Sequence, residues 1–572
     1  MTRWCHRLAT AAVAATCGLV IAAPARAWDP ARTHTGITER AVARGTVHAR
    51  WMQGSGDRLG WFTPLRIEPS RLDPATRRAL VVAMREAHAD VGGVAAGGPG
   101  ACPPQPAPSE TLQRCVDADA WETTALGWVR VGIALEAVPR ARLLHHFADL
   151  DDPAAPRWHA HGRSRGTWRR IERQAGGTMA ARVARSGFAG TGPSAIGWLA
   201  DPDDPWAPAA MHRHLRAASL LAEPEARAQE LALAMVALGA TLHVIQDLTL
   251  PAHARGDLLG TRVPLSDERR DRGSPLAEYA RLIFARALPA PLVLASEPTA
   301  APAASLRALL LGDATHDGVI EFTAGHFFSD GSLPPPVAID PSLDAAAAAT
   351  ALLGAHAHLD DAERDGAVLA PWPADTGYVR TTTGRALAAW RRLPDGTVQP
   401  YLDRRILREH ALRLLPLAVG TTAAALELWW PAWPDARWDR ASNSYEIDRL
   451  EGTHDGELTV VIEQADGRRT VARRIALPHP RNRVRGITPD AMPEGAHIVL
   501  VLAATRDDGT RVLVEQRLDR TGEPDAGTPE AGTPDAGTPD AGKPDAGTPV
   551  AGTPDAGTPV ESTPDAGTPD AR

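Results

Sequence analysis

The spacing of hydrophobic and polar residues along this chain changes from a helical period to a period of two. Between residues 28 and 432 the apolar positions recur mainly at helical spacing, and the strongest run covers Glu223 to Asp247. Pro224 stands at the start of this run, where proline is favoured, and an Ala, Leu, Met and Val body continues to Leu242. The pattern predicts one long buried helix over residues 223–247.

Three other segments of the same region predict helices. Arg404 to Trp430 has the length and apolar content of a long helix, and we expect Pro416 to bend it. Leu343 to Arg364 and Thr167 to Arg185 are shorter candidates. Together these segments predict a mainly α, multi-helix domain over residues 28–432.

Residues 440–520 have the pattern of β-strands. Asp-Gly between runs of alternating β-forming residues is the strongest short signal for a hairpin, and it occurs twice here. We therefore expect a small all-β, sandwich-like domain of about eighty residues, which is an ordinary domain size. The flanking pairs are Leu458–Ile462 with Thr470–Leu477 around Asp466-Gly467, and Ile498–Ala503 with Arg511–Leu518 around Asp508-Gly509.

Residues 1–27 have the features of a secretory signal peptide. Arg3 and Arg7 form a basic segment before an apolar run from Leu8 to Ala23. Ala25-Arg26-Ala27 then places small residues at the two positions that signal peptidase recognises. We expect cleavage after Ala27, which makes Trp28 the first mature residue of a secreted or periplasmic bacterial protein. No transmembrane segment is expected in the rest of the chain.

Residues 521–572 repeat Thr-Pro-Asp-Ala-Gly with small variations. A five-residue repeat without large apolar side chains cannot bury a core, so we expect a disordered, acidic spacer. The tail carries ten acidic side chains against Lys543 and Arg572, which accounts for the whole formal net charge of -8. The remaining residues balance to zero, which excludes the global basic field typical of proteins that bind nucleic-acid duplexes.

The candidate chemistry lies at the end of the long helix. His243 and Asp247 are four residues apart, which places both side chains on one helical face. Pro251 then turns the chain, and His253 follows six residues after Asp247. Two imidazoles and a carboxylate at one point are the nitrogen and oxygen donors that zinc prefers. The segment therefore predicts a zinc site, and with it a hydrolase.

Other residues, taken in their order along the chain, resemble the zinc-dependent phospholipase C family. Fungal zinc-dependent single-strand nucleases belong to the same superfamily. The resemblance spans residues 28–430, with large insertions, and residues 243–253 are its most specific part. The matching positions are Trp28, His34, His146-Phe147, His243, Asp247, His253 and Glu278.

The resemblance implies up to three zinc ions. Trp28, through its free α-amino group and carbonyl, and His34 would hold one ion, and His146 and His243 would hold a second. Asp247 would bridge these two ions. His253 and Glu278 would hold the third. The set of metal ligands implied by the resemblance is therefore Trp28, His34, His146, His243, Asp247, His253 and Glu278.

The chain departs from the family's pattern at three places. Ser274 stands where the family has a further histidine ligand of the third zinc. Ala137 stands where the family has an upstream Asp, and the adjacent Glu136 is the candidate to replace it. The His-Phe segment continues as Ala148-Asp149, which differs from the usual sequence. Glu136 or Asp149 is expected to orient the attacking water, beside the metals around Asp247.

The leading hypothesis is a secreted zinc-dependent phosphodiesterase of the phospholipase C type. A single-strand nuclease of the same superfamily is the second hypothesis, and an exported, non-catalytic metal-binding protein is the third. The expected partners are a phospholipid or a nucleic-acid phosphodiester, with peripheral contact to a membrane surface. The protein is expected to be a monomer.

Overall fold

The computed structural model describes the chain from Trp28 to Leu518 in segments. The predicted signal peptide, the helix expected over 167–185 and the repeat tail lie outside the described residues. All the described residues belong to one compact unit. The described ranges are 28–55, 59–89, 120–137, 142, 145–148, 194–255, 275–286, 305–313, 317–354, 359–439, 444–450, 452–485, 492–507 and 509–518.

The described residues include 14 α-helices, numbered here in chain order. A single π-helical turn, Pro30–His34, precedes the first of them. The helices are α1 (Thr35–Arg44), α2 (Val47–Ser55), α3 (Pro74–Ala89), α4 (Ala125–Ala137), α5 (Ala195–Leu199), α6 (Pro208–Leu220), α7 (Pro224–Asp247), α8 (Pro251–Ala254), α9 (Pro275–Arg286), α10 (Leu306–Leu311), α11 (Val319–His326), α12 (Ala345–Leu353), α13 (Asp361–Asp365) and α14 (Arg404–Trp429).

The two long predicted helices are confirmed. Helix α7 begins at Pro224, with Glu223 as its N-cap residue, and ends at Asp247. Helix α14 covers Arg404 to Trp429 and contains Pro416. The helix expected over 343–364 is instead two shorter ones, α12 and α13.

Helices α4 and α7 cross at two glycines. A Cβ atom on Gly132 would overlap the carbonyl oxygen of Val236, and one on Gly239 would overlap the carbonyl oxygen of Val129. The two backbones can approach this closely only because neither residue has a side chain. The crossing places the end of α4 beside the last turns of α7, where the candidate metal ligands lie.

The described residues also include 14 strands, which form four antiparallel sheets. The sheets have the strand orders β1-β2, β3-β7-β6-β5-β4, β12-β9-β8 and β11-β10-β13-β14. The strands are β1 (Pro64–Ile67), β2 (Trp121–Thr124), β3 (Val337–Ala338), β4 (Val368–Ala370), β5 (Thr376–Arg380), β6 (Ala386–Arg392), β7 (Thr397–Tyr401), β8 (Ala436–Asp439), β9 (Ser444–Asp448), β10 (Glu457–Glu463), β11 (Arg469–Ala476), β12 (Arg481–Arg485), β13 (His497–Thr505) and β14 (Arg511–Leu518).

The expected fold class, mainly α with one small β-domain, is wrong. The described residues are 49% helical and 23% strand, and strands β3 to β7 form a curled, five-stranded half-barrel inside the region expected to be helical. Strand β6 reads Ala-Leu-Ala-Ala-Trp at its start, and alanine and leucine favour helix. Tertiary packing overrides that preference, because Ala386 to Trp390 are buried between neighbouring strands and α14.

The two hairpins expected in the C-terminal region are present. Strands β10 and β11 pair across Gly467, which has a φ of 82°, a conformation that glycine adopts without strain. Strands β13 and β14 pair likewise. Side chains of the four-stranded sheet pack against Tyr445 and Val484 of the three-stranded sheet in one apolar cluster, as in a sandwich.

Helices α7 and α14 are long and apolar enough, by length and composition alone, to span a membrane. Within this fold 83% of the apolar window of α7 and 67% of that of α14 are buried. Both helices therefore lie in the protein core, where a continuous apolar surface is also expected.

Candidate metal centre

The last turn of α7 brings His243 and Asp247 to one side of the helix, and both side chains are buried. Leu250 then donates its N–H to the carbonyl of Asp247, and helix α8 begins at Pro251. This tight turn returns His253, also buried, to within 3.8 Å of the Asp247 carboxylate. The sequence segment therefore folds as its spacing predicts.

His34 completes the first of two buried groups that can hold a metal ion. Its Nε2 atom lies 3.0 Å from Oδ1 of Asp247, and the Nε2 atom of His243 lies 3.4 Å from Oδ2. The two imidazole rings stack with centroids 3.9 Å apart. The ligand atoms of His34, His243 and Asp247 all lie within 4.8 Å of one another.

The hydrogen bonds of the two imidazoles fix their tautomers. His243 donates from Nδ1 to the carbonyl of Ile133 at 2.7 Å. His34 donates from Nδ1 to the amide oxygen of Gln246 at 2.7 Å. The orientation of that amide is set by its nitrogen, which donates to the hydroxyls of Thr38 and Thr422. Since Nδ1 carries the proton in both rings, each Nε2 presents a lone pair toward Asp247.

With both rings in their neutral forms, the first group contains acceptors and no donor. Nε2 of His34 and Oδ1 of Asp247 are 3.0 Å apart and buried, yet neither forms a hydrogen bond with any described group. A buried polar atom left in this way costs about 1–3 kcal/mol. Lone pairs that converge without a proton between them form the kind of site that a cation fills.

The charges of this group also favour a cation. Burial opposes ionisation of Asp247, but the imidazoles of His253, His243 and His34 and a hydrogen bond from His146 hold its pKa well below the ordinary value. Burial, together with the neighbouring His34, lowers the pKa of His243 to about 4. Near neutral pH the Asp247 carboxylate thus lies beside the neutral imidazole of His243. Burial lowers the pKa of the adjacent His146, but its hydrogen bonds to Asp247 and Glu136 raise that pKa above the ordinary value.

A second buried group consists of Glu136, His145 and His146. Glu136 lies in the last turn of α4, and its Oε1 atom contacts Nε2 of both histidines, at 3.3 Å for His146. Its Oε2 atom accepts a hydrogen bond from Nε of Arg142 at 2.8 Å. Burial opposes ionisation of Glu136, but Arg142 and His145 hold its pKa well below the ordinary value. Unlike the first group, this group is paired with a permanent cation, Arg142.

His146 joins the two groups. Its Nδ1 atom lies 2.7 Å from Oδ2 of Asp247, while its Nε2 atom faces Glu136. Its carbonyl accepts a hydrogen bond from Nδ1 of His253 at 3.0 Å, and the ring of His253 stacks on Phe147 with centroids 4.2 Å apart. These contacts fix the segment 145–148 against α8.

The structure thus brings together six of the residues that the sequence singles out: His34, Glu136, His146, His243, Asp247 and His253. Trp28 is buried beside them, and its indole N–H donates to the carbonyl of Gln246. Glu278 lies on α9 with a bidentate pair to Arg281 and belongs to neither described group. Asp149 and Ser274 lie outside the described residues.

The sequence did not predict a role at the site for three residues that contact it: Arg142, His145 and Gln246. His145 is next to His146 and stacks flat on Trp198, with centroids 4.9 Å apart, but paired histidines alone do not predict a second group. Arg142 follows Glu136 by six residues and donates to it at 2.8 Å, and neither a continuous helix nor a strand brings side chains at that spacing together. Gln246 precedes Asp247 and orients His34; its place in the last helical turn was the available signal.

Searches of family models, curated proteins and solved structures found no match to this chain.

Proposed function

We propose that this chain is an exported, zinc-dependent phosphodiester hydrolase of the phospholipase C type. The observation that carries the proposal is the buried cluster of acceptors formed by His34, His243 and Asp247, which has no donor of its own. A fold that keeps such a cluster without a ligand bears an unfavourable free energy. A cation that binds there converts this cost into binding free energy.

Zinc fits the donors of the first group. Two imidazole nitrogens and one carboxylate oxygen are typical protein ligands of a catalytic zinc, which keeps a further position for water. Such an ion, when bound, lowers the pKa of its water toward neutrality and offsets charge that develops on a phosphodiester. Ile133 and Gln246 hold the two imidazoles with Nε2 facing Asp247, as outer partners of metal-bound histidines do.

Glu136 orients the neighbouring imidazoles in this proposal. Both of its oxygens are engaged, one with His145 and His146 and the other with Arg142. A carboxylate held by three partners is well placed to fix the ring of His146, whose other nitrogen faces Asp247. Glu136 therefore acts through His146, and it is a positioning residue for the first group.

Phospholipid is the preferred substrate class, because His146-Phe147 and the Pro251–His253 turn resemble the bacterial phospholipase branch more closely. A single-stranded nucleic acid is the second candidate, supported by the short interval from Trp28 to His34. Arg142 favours a third candidate, a non-catalytic metal-binding protein, because its charge already neutralises Glu136.

The test uses the chain purified from Trp28 to Arg572 under native conditions. Metal content is measured first, and turnover is then measured on phosphatidylcholine vesicles and on single-stranded DNA. Asp247→Asn should lower both metal content and turnover by more than about 100-fold, because it removes the carboxylate that faces every imidazole of the first group. Glu230→Gln is the matched control. Glu230 is an acid on the same helix as Asp247, and it lies outside the centre, where it pairs with His214 of α6.

The outcomes separate the three candidates. Zinc with turnover on the vesicles alone supports the phospholipase, and turnover on DNA alone supports the nuclease. Stoichiometric zinc without turnover on either substrate supports the non-catalytic protein. A wild-type chain that binds no divalent metal ion would overturn the whole proposal.

A further inference from the structure

A cavity of about 570 Å³ lies at the end of α7 opposite to the metal centre, between this helix, α6 and strand β14. Its volume is that of a small-molecule site, and such sites are frequent where two structural layers meet. The lining is mainly apolar and aromatic. It includes Trp51, Leu215, Leu231, Met235, Trp430 and Leu513.

The cavity extends along α7. Its lining follows this helix from Pro224 to Met235, which at the helical rise of 1.5 Å per residue is about 17 Å. An apolar lining of that length suits an extended hydrocarbon, which can follow the helix from one end of the cavity to the other.

The charged side chains that line the cavity are engaged with other parts of the protein. Arg50 pairs with Glu427, and Arg227 donates to the carbonyls of Ala222 and Gly467. Arg469 is buried and lies 2.7 Å from Glu463 and 3.3 Å from Glu515. The cavity thus offers an apolar surface whose charged side chains are already paired, which suits the uncharged hydrocarbon part of a ligand.

Two exposed apolar side chains lie in the segment that leads into this lining. Phe62 is 58% exposed and Leu59 is 51% exposed, although both are large hydrophobic residues. The chain continues from Phe62 directly into Thr63 and Pro64, which line the cavity. Exposed apolar residues in a segment that continues into an apolar cavity are consistent with an apolar ligand there.

We propose that this cavity binds one long alkyl or acyl chain, at a site separate from the metal centre. His243 follows Met235 by eight residues, so at least about 12 Å of helix separates the two places. The binding site goes beyond the proposed hydrolase activity and does not depend on it. A free fatty acid and the chain of a membrane lipid are the two sources of such a ligand.

Contact quenching of tryptophan fluorescence tests the proposal, because Trp51, Trp430 and Trp433 line the cavity. Brominated dodecanoic acid, as the free chain, and vesicles of brominated phosphatidylcholine, as the membrane source, are titrated into the full mature chain. We expect saturable quenching by at least one of the two probes. Asp247→Asn should give the same quenching, because the metal centre is elsewhere.

Filling the cavity should abolish this binding. Ala218 and Ala228 are half-buried and line it, so Ala218→Leu with Ala228→Leu should weaken the probe at least tenfold. Ala217→Leu with Ala226→Leu is the matched control, with half-buried alanines of the same two helices that do not line the cavity. Replacing Trp430 and Trp433 with Phe should reduce the quenched amplitude, which tests the location in a chain whose cavity is unfilled.

Three results would overturn the proposal: no saturable quenching of the wild type, equal affinities in the filled and control variants, or an unchanged amplitude without Trp430 and Trp433. Thermal melting of each variant shows whether it is folded. If the filled variant is unfolded, the amplitude measurement decides alone.

Discussion

The buried polar groups at the two ends of α7 differ in their partners: those at the C-terminal end lack a donor, and those at the N-terminal end are paired. At the C-terminal end, the Nε2 atoms of His34 and His243 face the Asp247 carboxylate, and no donor lies between them. At the N-terminal end, the buried Arg469 meets two carboxylates of the β-sandwich. The C-terminal end of α7 therefore has buried acceptors without a donor, and the N-terminal end lines an unfilled apolar cavity. The first arrangement suits a cation, and the second suits an apolar ligand.

The two features at the ends of α7 do not stabilise the fold, and their presence therefore favours a functional role. Close-packed interiors rarely keep polar atoms without partners or apolar voids larger than a few water molecules, because both raise the free energy of the folded state. A helix that bears both costs, one at each end, has to be held by the rest of the core. The Gly132–Gly239 crossing near its middle supplies this support.

The largest expected effect is at this crossing. Gly239→Ala would place a Cβ atom against the carbonyl of Val129, so α4 and α7 would have to separate. Overpacking of this kind costs about 3 kcal/mol of unfolding free energy. Denaturant unfolding measures the loss, and metal titration should show weaker binding, because the His243 bond to Ile133 crosses the same contact.

Gly325→Ala is the matched control for this prediction. A Cβ atom at Gly325 meets only Asp360, at an ordinary 3.8 Å, so stability should change by less than about 1 kcal/mol. Equal unfolding free energies for Gly239→Ala and the wild type would show that the crossing does not hold α7 in place.

The second-largest expected effect is on metal affinity at the C-terminal end of α7. Gln246→Leu removes the acceptor that fixes the tautomer of His34, so metal affinity should fall about 10–100-fold while chain binding in the cavity is unchanged. Gln229→Leu is its counterpart on the same helix, since Gln229 is also buried and accepts from the N–H of Glu68. Competition titration with a metal indicator compares them. A similar loss of affinity in both variants would assign the effect to the helix as a whole.

The sequence predicted α7 and the approach of His243, Asp247 and His253 to one another, because both depend on short-range spacing. His243, Asp247 and His253 lie within eleven residues, and the helix and turn between them follow from local preference. The half-barrel was missed, since the Ala-rich strand β6 is set by partners such as Tyr378 and Tyr401 on other strands. The cavity could not be predicted at all, because its lining comes from segments hundreds of residues apart.

The third effect concerns a histidine beside the cavity end of α7. His212 on α6 is buried, its ring nitrogens form no hydrogen bonds with the described residues, and burial together with Arg511 lowers its pKa to about 3. The folded protein therefore keeps His212 neutral, while the unfolded chain takes up a proton below a pH of about 6.5. Stability is then lost as the pH falls from about 6.5 toward 3, at about 1.4 kcal/mol per pH unit.

His212→Leu should remove this loss. Between pH 8 and pH 5 the wild type should lose about 2 kcal/mol through His212, and the variant should not. Met211→Leu, a buried neighbour without an ionisable group, is the control and should keep the wild-type slope. Urea unfolding at both pH values gives the comparison, and parallel slopes for the two variants would refute the buried, neutral state of His212.

The smallest expected effect concerns the exposed ion pairs between the helices and the β-sandwich. Arg468 pairs with Glu223, and Arg216 pairs with Glu457, with each of these side chains more than a third exposed. Exposed pairs contribute little, because water screens them and ordering the long side chains costs entropy. Arg216→Ala with Arg468→Ala should therefore lower the melting temperature by less than about 2 °C, and less still in high salt. A larger drop would mean that these surface charges hold the sandwich on the helices, and the cavity between them would then depend on ionic strength.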